Sequence, residues 1–184
     1  MSIIDDLIPS LGSDAPLRDV RVCAFWTAVV LEGGRCGLAS TLQPEEPQCA
    51  GPAHWCQWRD TYWSAAPWSW PDTPHPRASE KGAGRKVAIV GHFPFIPRVR
   101  EVAEKLWVLE KRPAEGDLPA EMAAEVLPQA DVAAITGTSL INHTFEGLMK
   151  LCRPDALVIV LGPTTSLSPV LFDYGVDVVS GSKV

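Results

Sequence analysis

The sequence predicts an α/β protein with a Rossmann-like parallel sheet of about five strands, preceded by a small, incomplete α+β piece. Short apolar runs alternate with helical patterns from residue 82 onward, which is typical of βαβ units. Runs such as ALVIVLG at 156–162 are apolar almost throughout, as in strands covered on both faces. The run at 86–91 ends in glycine and turns directly into a helical pattern, as the first strand of a doubly wound sheet does.

The composition limits the classes of function. The chain has 184 residues, of which 46% are hydrophobic and 21% charged, so we expect a packed core rather than disorder. A net charge of −6 argues against nucleic acid as a partner, because phosphate binding requires clustered Lys and Arg. No apolar run approaches the roughly 18 residues that cross a bilayer. The start, MSIIDD, carries acids where an export signal carries basic residues. We therefore expect a cytoplasmic protein without a membrane partner.

Three parts are expected along the chain: an N-terminal α+β piece at 1–42, an irregular linker at 43–81 and the Rossmann-like domain at 82–184. In the first part, the apolar spacing at 2–11 suits a short helix, which Pro9 would end or kink. Residues 20–41 predict a hairpin, because two β-rich arms flank the Gly33-Gly34 dipeptide. Cys23 and Cys36 could face each other across it.

The linker is unusual in its composition. Five of the seven tryptophans lie between residues 55 and 70, among several prolines that interrupt helix and sheet hydrogen bonding. Three interpretations stay open: an aromatic binding loop, a poorly ordered linker, or a shifted reading frame joined to sound sequence on both sides. His54, Cys56 and His75 lie here, but their spacing matches no standard zinc pattern.

From residue 82 onward the strands and helices alternate. We expect strands at 86–91, 106–110, 131–137, 156–162 and 177–179. The intervening helices are expected at 97–106 and 120–127, then from Thr138 through Leu151, with a short one around 170–172. Right-handed crossovers would bring all the strand ends to one edge of the sheet.

Three of these strand ends carry a glycine followed by polar residues, so the predicted ligand site lies at this edge. Each glycine allows a turn and a close approach, and each hydroxyl near a helix start can cap that helix or contact an anion. His92 could be a metal ligand, a base or a structural hydrogen-bonding group. The candidate ligand-binding residues are Gly91, His92, Phe93, Gly137, Thr138, Asn142, Gly162 and Thr164, with His92 also the candidate metal ligand.

Nucleotide-binding motifs are not found at the first strand. The sequence there is GHFPFI rather than GxGxxG, and no GxxxxGK[ST] loop occurs, which disfavours a dinucleotide enzyme or a phosphate loop. Glu110 ends the second strand, where Rossmann folds often place an acid for a ribose hydroxyl. A solvated strand end is an equally good interpretation of Glu110.

Several long blocks resemble the putative heavy-metal chelation family, a domain of unknown function. They read VAIVGHFPFIPRVRE, LWVLEKRPAEGDLP, LPQADVAAITGTSLINHTFEGLM and VIVLGPTTSLSPVLFDYGVDVVSGSKV, and the hairpin FWTAVVL…GRCGLAST resembles the family's N-terminal part. The family's GHFPF block corresponds to residues 91–95 and its TGTxLxN block to 136–142. Its GPxxPLSP-like block corresponds to 162–169, with Ser166 where proline is usual.

The resemblance implies an enolase-N-terminal-like piece, a Rossmann-like domain and an active site in the cleft between them. It implies binding of a metal or a small anionic metabolite, with a divalent or heavy metal ion as the candidate cofactor. The alternatives are an enzyme acting on a small metabolite in metal-chelator biosynthesis, or a truncated, non-functional relative. Relatives have a helix in place of the Trp/Pro segment and continue beyond the GSKV-like end, so we expect a disrupted middle and a missing C-terminal end. A homodimer is left open.

Overall fold

The structure, a computed structural model, describes residues 2–10, 16–22, 26–32, 36–40 and 81–181. The described residues form a three-stranded antiparallel sheet and a six-stranded parallel sheet. The Trp- and Pro-rich segment at 43–80 lies outside the described residues, as do Cys23, Gly33 and Gly34. The interpretations of that segment, and the three-part division of the chain, therefore stay predictions.

The N-terminal part has one helix and three strands: α1 (Ile3–Ser10), β1 (Leu17–Val22), β2 (Trp26–Leu31) and β3 (Cys36–Ser40). Strands β2 and β3 pair antiparallel, which confirms the predicted hairpin. The prediction of a single first arm is wrong, because β1 and β2 are separate strands that pair antiparallel. The intervening residues read Cys-Ala-Phe, so no Gly or Pro signals the reversal. Cys36 lies opposite Val30 rather than Cys23.

The second sheet is the predicted Rossmann-like sheet. Its strands are β4 (Lys86–Val90), β5 (Lys105–Glu110), β6 (Leu118–Pro119), β7 (Val132–Thr136), β8 (Leu157–Leu161) and β9 (Val178–Ser180). All the pairings are parallel, in the order β6-β5-β4-β7-β8-β9. This is the order 3-2-1-4-5-6 of the doubly wound dinucleotide-binding fold. The strand missed by the sequence analysis is β6, which has only two residues.

The helices of this domain are α2 (Ile96–Val102), α3 (Ala123–Val126), α4 (Thr138–Ile141), α5 (Phe145–Leu151) and α6 (Val170–Asp173). Short 3-10 turns, Ala120–Met122 and Leu127–Gln129, flank α3. Across the part of the chain described, no helix combines the length and apolar character that a bilayer span requires.

The expected single helix over 138–151 is wrong, because it breaks between α4 and α5. His143 has a φ of 59° there, and a residue in the left-handed region cannot continue a right-handed helix. Asn142 Oδ1 accepts the Thr144 N–H at 3.2 Å and the Thr144 hydroxyl at 2.6 Å. The side chain of Asn142 thereby stabilises the start of α5.

Alternate residues of each strand pack on opposite faces of the parallel sheet, as the period of two requires. On β7, Ala133 and Ile135 enter one core cluster, whereas Val132 and Ala134 enter the other. Helix α2 covers the second cluster, while α1, α3, α5 and α6 contribute buried side chains to the first. Because both faces are buried, these strands can be apolar throughout.

Helix α1 is fixed to the Rossmann-like domain by packing and by hydrogen bonds. Its buried residues Ile3 and Leu7 belong to the core cluster of the parallel sheet. The Ser10 hydroxyl lies 2.6 Å from the Ser168 hydroxyl. The Tyr174 hydroxyl donates to Asp6 Oδ2 at 2.6 Å. The N-terminal helix is therefore tied to the loop that follows β8 and to the end of α6.

The Tyr174–Asp6 contact predicts a dependence of stability on alkaline pH. The hydrogen bond to Asp6, together with burial and nearby carboxylates, raises the pKa of Tyr174 to about 12 from its usual 10. A pKa raised by folding stabilises the protein below pH 10, and this contribution is lost as the pH rises from 10 through 12. We expect urea unfolding at pH 9 and pH 11 to give a smaller loss of stability in Tyr174→Phe than in wild type. An equal loss in both proteins would contradict this role.

Candidate functional site

The candidate site lies where the C-terminal ends of β4, β7 and β8 meet. These three strands are neighbours in the sheet, so the prediction that their glycine-ended tips come together is confirmed. The chain leaves β4 toward β5 and leaves β7 toward β8, in opposite directions across the sheet. Ligands of doubly wound sheets bind in the crevice at such a switch point.

The three glycines serve this edge in two ways. Gly91 has a φ of 106° and Gly162 a φ of 114°, values that only glycine adopts without strain. Gly137 has an ordinary φ of −59° but lies against the loop after β8. A Cβ at Gly137 would be 2.5 Å from the Thr165 backbone nitrogen and 2.5 Å from its hydroxyl. Gly137 therefore permits two strand-end loops to touch.

The Phe93 ring is packed into this edge of the sheet and is not an exposed side chain. A Cβ at Gly91 would lie 3.3 Å from one edge atom of the Phe93 ring, and a Cβ at Gly162 3.6 Å from another. The ring is only 9% exposed and belongs to a core cluster. Phe93 thus fills the space between the tips of β4 and β8.

His92 is held by an acid that the sequence analysis did not single out. Its Nδ1 lies 3.0 Å from Oδ2 of Asp117, the residue immediately before β6. The His92 side chain is 40% exposed, whereas that of Asp117 is 2% exposed. The signal in the sequence was the AEGD stretch at 114–117, since glycine at the third position of a turn is typical of type II.

Two hydroxyls meet on the other side of the β4 tip. Thr138 Oγ1, at the start of α4, lies 3.2 Å from Thr164 Oγ1 in the loop after β8. The Thr138 N–H donates to Thr136 Oγ1 at 3.3 Å, and the Ser139 hydroxyl donates to the Thr136 carbonyl at 2.7 Å. Threonine hydroxyls can donate as well as accept, so this pair can offer an O–H to a bound anion.

The side chain of Asn142 makes hydrogen bonds within its own loop. Its side-chain oxygen is already used by Thr144, which leaves the amide N–H groups as its means of contacting a ligand. Glu110, the candidate for a ribose hydroxyl, accepts the N–H of its neighbour Lys111 at 2.8 Å.

The loop after β8 contains two further polar groups, which belong to the predicted polar turn but are not among the candidate ligand-binding residues. Thr165 Oγ1 and Ser166 Oγ are buried and have no hydrogen-bond partner among the described residues. An unmade hydrogen bond of this kind costs about 1–3 kcal/mol. Within the described ranges, no three His, Cys, Asp or Glu side chains are grouped to hold a metal ion. His92 is therefore placed as a single candidate ligand.

The small antiparallel sheet approaches the same edge. Strand β3 lies beside α4, which begins at Thr138. This contact places the N-terminal part next to the strand ends, where the resemblance implied a cleft.

Fold and site together define a Rossmann-like α/β protein whose candidate binding edge is built from glycine turns, a histidine and paired hydroxyls. The family described as "Putative heavy-metal chelation" (DUF364) matches residues 77–184, which is more than half of the chain. The chain belongs to this family.

Two solved structures resemble this chain in fold, and a curated relative matches part of its sequence. A family member of unknown function from Desulfitobacterium hafniense is 23% identical with a TM-score of 0.72, covering 95% of this chain and 83% of its own. One from Pyrococcus horikoshii is 20% identical with a TM-score of 0.60, covering 91% and 80%. These likenesses support the fold. An uncharacterised protein of Methanocaldococcus jannaschii is 28% identical over 106 residues, 54% of this chain and 41% of that protein. The match thus spans less than half of that relative's length.

Proposed function

We propose that this chain binds a metal ion or a small anionic metabolite at the C-terminal edge of its parallel sheet. The observation that carries the proposal is the switch point between β4 and β7, where both strands end in glycine turns followed by polar side chains. His92 would contact the ligand on one side of this point, and Thr138 and Thr164 on the other.

The donors present favour a molecule over a bare ion. Within the described ranges, no three His, Cys, Asp or Glu side chains are grouped to hold a metal ion, whereas a structural zinc ion takes four protein ligands. The Nδ1 atom of His92 already contacts Asp117, and Thr138 and Thr164 offer hydroxyl groups. A small metabolite, or a metal already held by a chelating molecule, needs fewer ligands from the protein.

A calorimetric titration tests this proposal. The full chain is titrated with zinc chloride, with sodium citrate and with the zinc–nitrilotriacetate complex. We expect wild type to bind at least one probe and His92→Ala to bind it about tenfold more weakly, a difference of about 1.4 kcal/mol.

The matched control is His143→Asn, because His143 is exposed and Asn tolerates its positive φ. This control should bind like wild type. Equal binding by wild type and His92→Ala, or no binding of any probe by wild type, would contradict the proposal.

An enzyme acting on a small metabolite is the second candidate, and the His92–Asp117 contact favours it. A histidine oriented by a carboxylate is a common general base. Incubation of the protein with a metabolite mixture, followed by mass spectrometry, would separate the two candidates. Turnover that His92→Ala abolishes would indicate catalysis, whereas binding without turnover would indicate a carrier or chelate-binding protein.

A further inference from the structure

We infer that Asp117 is a positioning residue for His92, which keeps the imidazole proton on Nδ1 and makes Nε2 the atom that meets a bound molecule. The role of Nε2 rests on the proposed function, because it concerns the same site. The protonated nitrogen of His92 can nevertheless be identified without any ligand.

The local backbone fixes the Asp117 carboxylate in place. The Asp117 N–H donates to the Ala114 carbonyl at 3.0 Å, which closes a turn. Gly116, the third residue of this turn, has a φ of 88°, as a type II turn requires. The Ala114 N–H donates back to Asp117 Oδ2 at 3.2 Å. The turn is thus closed through its backbone, and an N–H of the same turn holds the carboxylate.

The pairing of β6 with β5 places this turn near His92. Strand β6 begins directly after Asp117 and pairs with the last residues of β5, Leu109 and Glu110. Val90, the last residue of β4, lies beside Leu109 in the same sheet. The turn before β6 therefore reaches the C-terminal edge at the level where the chain leaves β4 toward His92.

The chemistry of the contact determines which nitrogen carries the proton. An ionised carboxylate can only accept hydrogen bonds, so Nδ1 donates to Asp117 Oδ2. In a neutral imidazole Nε2 then has the lone pair. The acid is buried and the ring is partly exposed. Metal-binding histidines commonly have their second nitrogen held by a carboxylate in this way.

A consequence follows for the class of ligand. A lone pair on Nε2 attracts a metal ion or a hydrogen-bond donor and repels a bare anion. The Thr138 and Thr164 hydroxyls can donate to an anionic group. The site as a whole therefore fits a ligand with a metal ion or a donor N–H or O–H at one end and an anionic group at the other.

The test is the imidazole ¹⁵N spectrum of the full chain, recorded at a pH where imidazole is neutral, with the His92 signals assigned by their loss in His92→Gln. We expect the proton on Nδ1 in wild type. Asp117→Asn, which keeps an acceptor oxygen, should retain this form. Asp117→Leu, which removes the acceptor, should shift the population toward the form with the proton on Nε2.

If Asp117→Leu fails to fold, the ¹⁵N spectrum of wild type alone decides which nitrogen of His92 carries the proton. A proton on Nε2 in wild type would overturn the assignment, as would a folded Asp117→Leu with an unchanged spectrum. With zinc–nitrilotriacetate added, the Nε2 signal should move, and Asp117→Leu should bind about 10–100-fold more weakly, as happens when the hydrogen-bond partner of a metal-binding histidine is removed. A lack of binding of all three probes by wild type would count against the proposed function, whereas the proton assignment is decided by the spectrum.

Discussion

Phe145→Ala is expected to lower the free energy of unfolding by about 3–5 kcal/mol, because it removes a fully buried aromatic side chain. Phe145 is 1% exposed and belongs to the larger core cluster, with side chains from α1 and from β7 and β8. Phe145 already lines a small cavity of about 60 Å³, together with Ile3, Ile4 and Leu140. Truncation would enlarge this void in the region where α1 packs on the domain.

The matched control for this prediction is Phe172→Ala. Phe172 is 52% exposed on α6, so its loss should cost only about 1 kcal/mol. Urea denaturation of both variants gives the comparison. Because small domains are stable by only about 5–15 kcal/mol, Phe145→Ala should unfold at a much lower urea concentration than Phe172→Ala. Equal midpoints for the two variants would mean that Phe145 is not part of a packed core.

Gly137→Ala is expected to destabilise the protein by about 1–3 kcal/mol, the usual range for overpacking. The new methyl group would lie 2.5 Å from the Thr165 nitrogen and 2.7 Å from its Cα. The loops cannot separate freely, because the Gly137 N–H donates to the Leu161 carbonyl at 2.8 Å and the Thr165 N–H to the Gly162 carbonyl at 3.1 Å. The same displacement would move Thr138 away from Thr164, so probe binding should weaken as well.

Gly147→Ala is the control, and its expected effect on stability is opposite in sign to that of Gly137→Ala. Gly147 lies within α5, and a Cβ there would meet nothing within 4 Å. Alanine should therefore stabilise the helix by about 0.5–1 kcal/mol, with no change in probe binding. If thermal unfolding showed Gly137→Ala to be as stable as Gly147→Ala, the close contact between the two strand-end loops would be refuted.

The sequence was most informative where its signals are repeated along the chain. Apolar runs such as those of β7 and β8 predicted buried parallel strands, and the glycines at 91, 137 and 162 predicted the edge at which their tips meet. These inferences depend on burial of both sheet faces, which the composition of each strand reflects directly.

The sequence was least informative where a single residue or a tertiary contact decides the structure. The two-residue strand β6 exists because it pairs with the end of β5, and LP alone carries no strand signal. The helix at 138–151 breaks at His143, although its apolar spacing continues. Asp117 was missed because its partner, His92, is 25 residues away in the chain. Single-sequence patterns record neighbours within a helix or strand, not pairs of this kind.

The most direct test of the central claim is an amide ¹H–¹⁵N titration of the full chain with zinc–nitrilotriacetate. The proposed site predicts that the signals of residues 91–93, 137–139 and 164–165 shift together and saturate with one dissociation constant. The signals of Asp131 and Asp155, which lie at the opposite edge near the starts of β7 and β8, should stay unchanged. Shifts confined to that opposite edge, or to segments remote from the three glycine turns, would contradict a ligand site at the C-terminal ends of the strands.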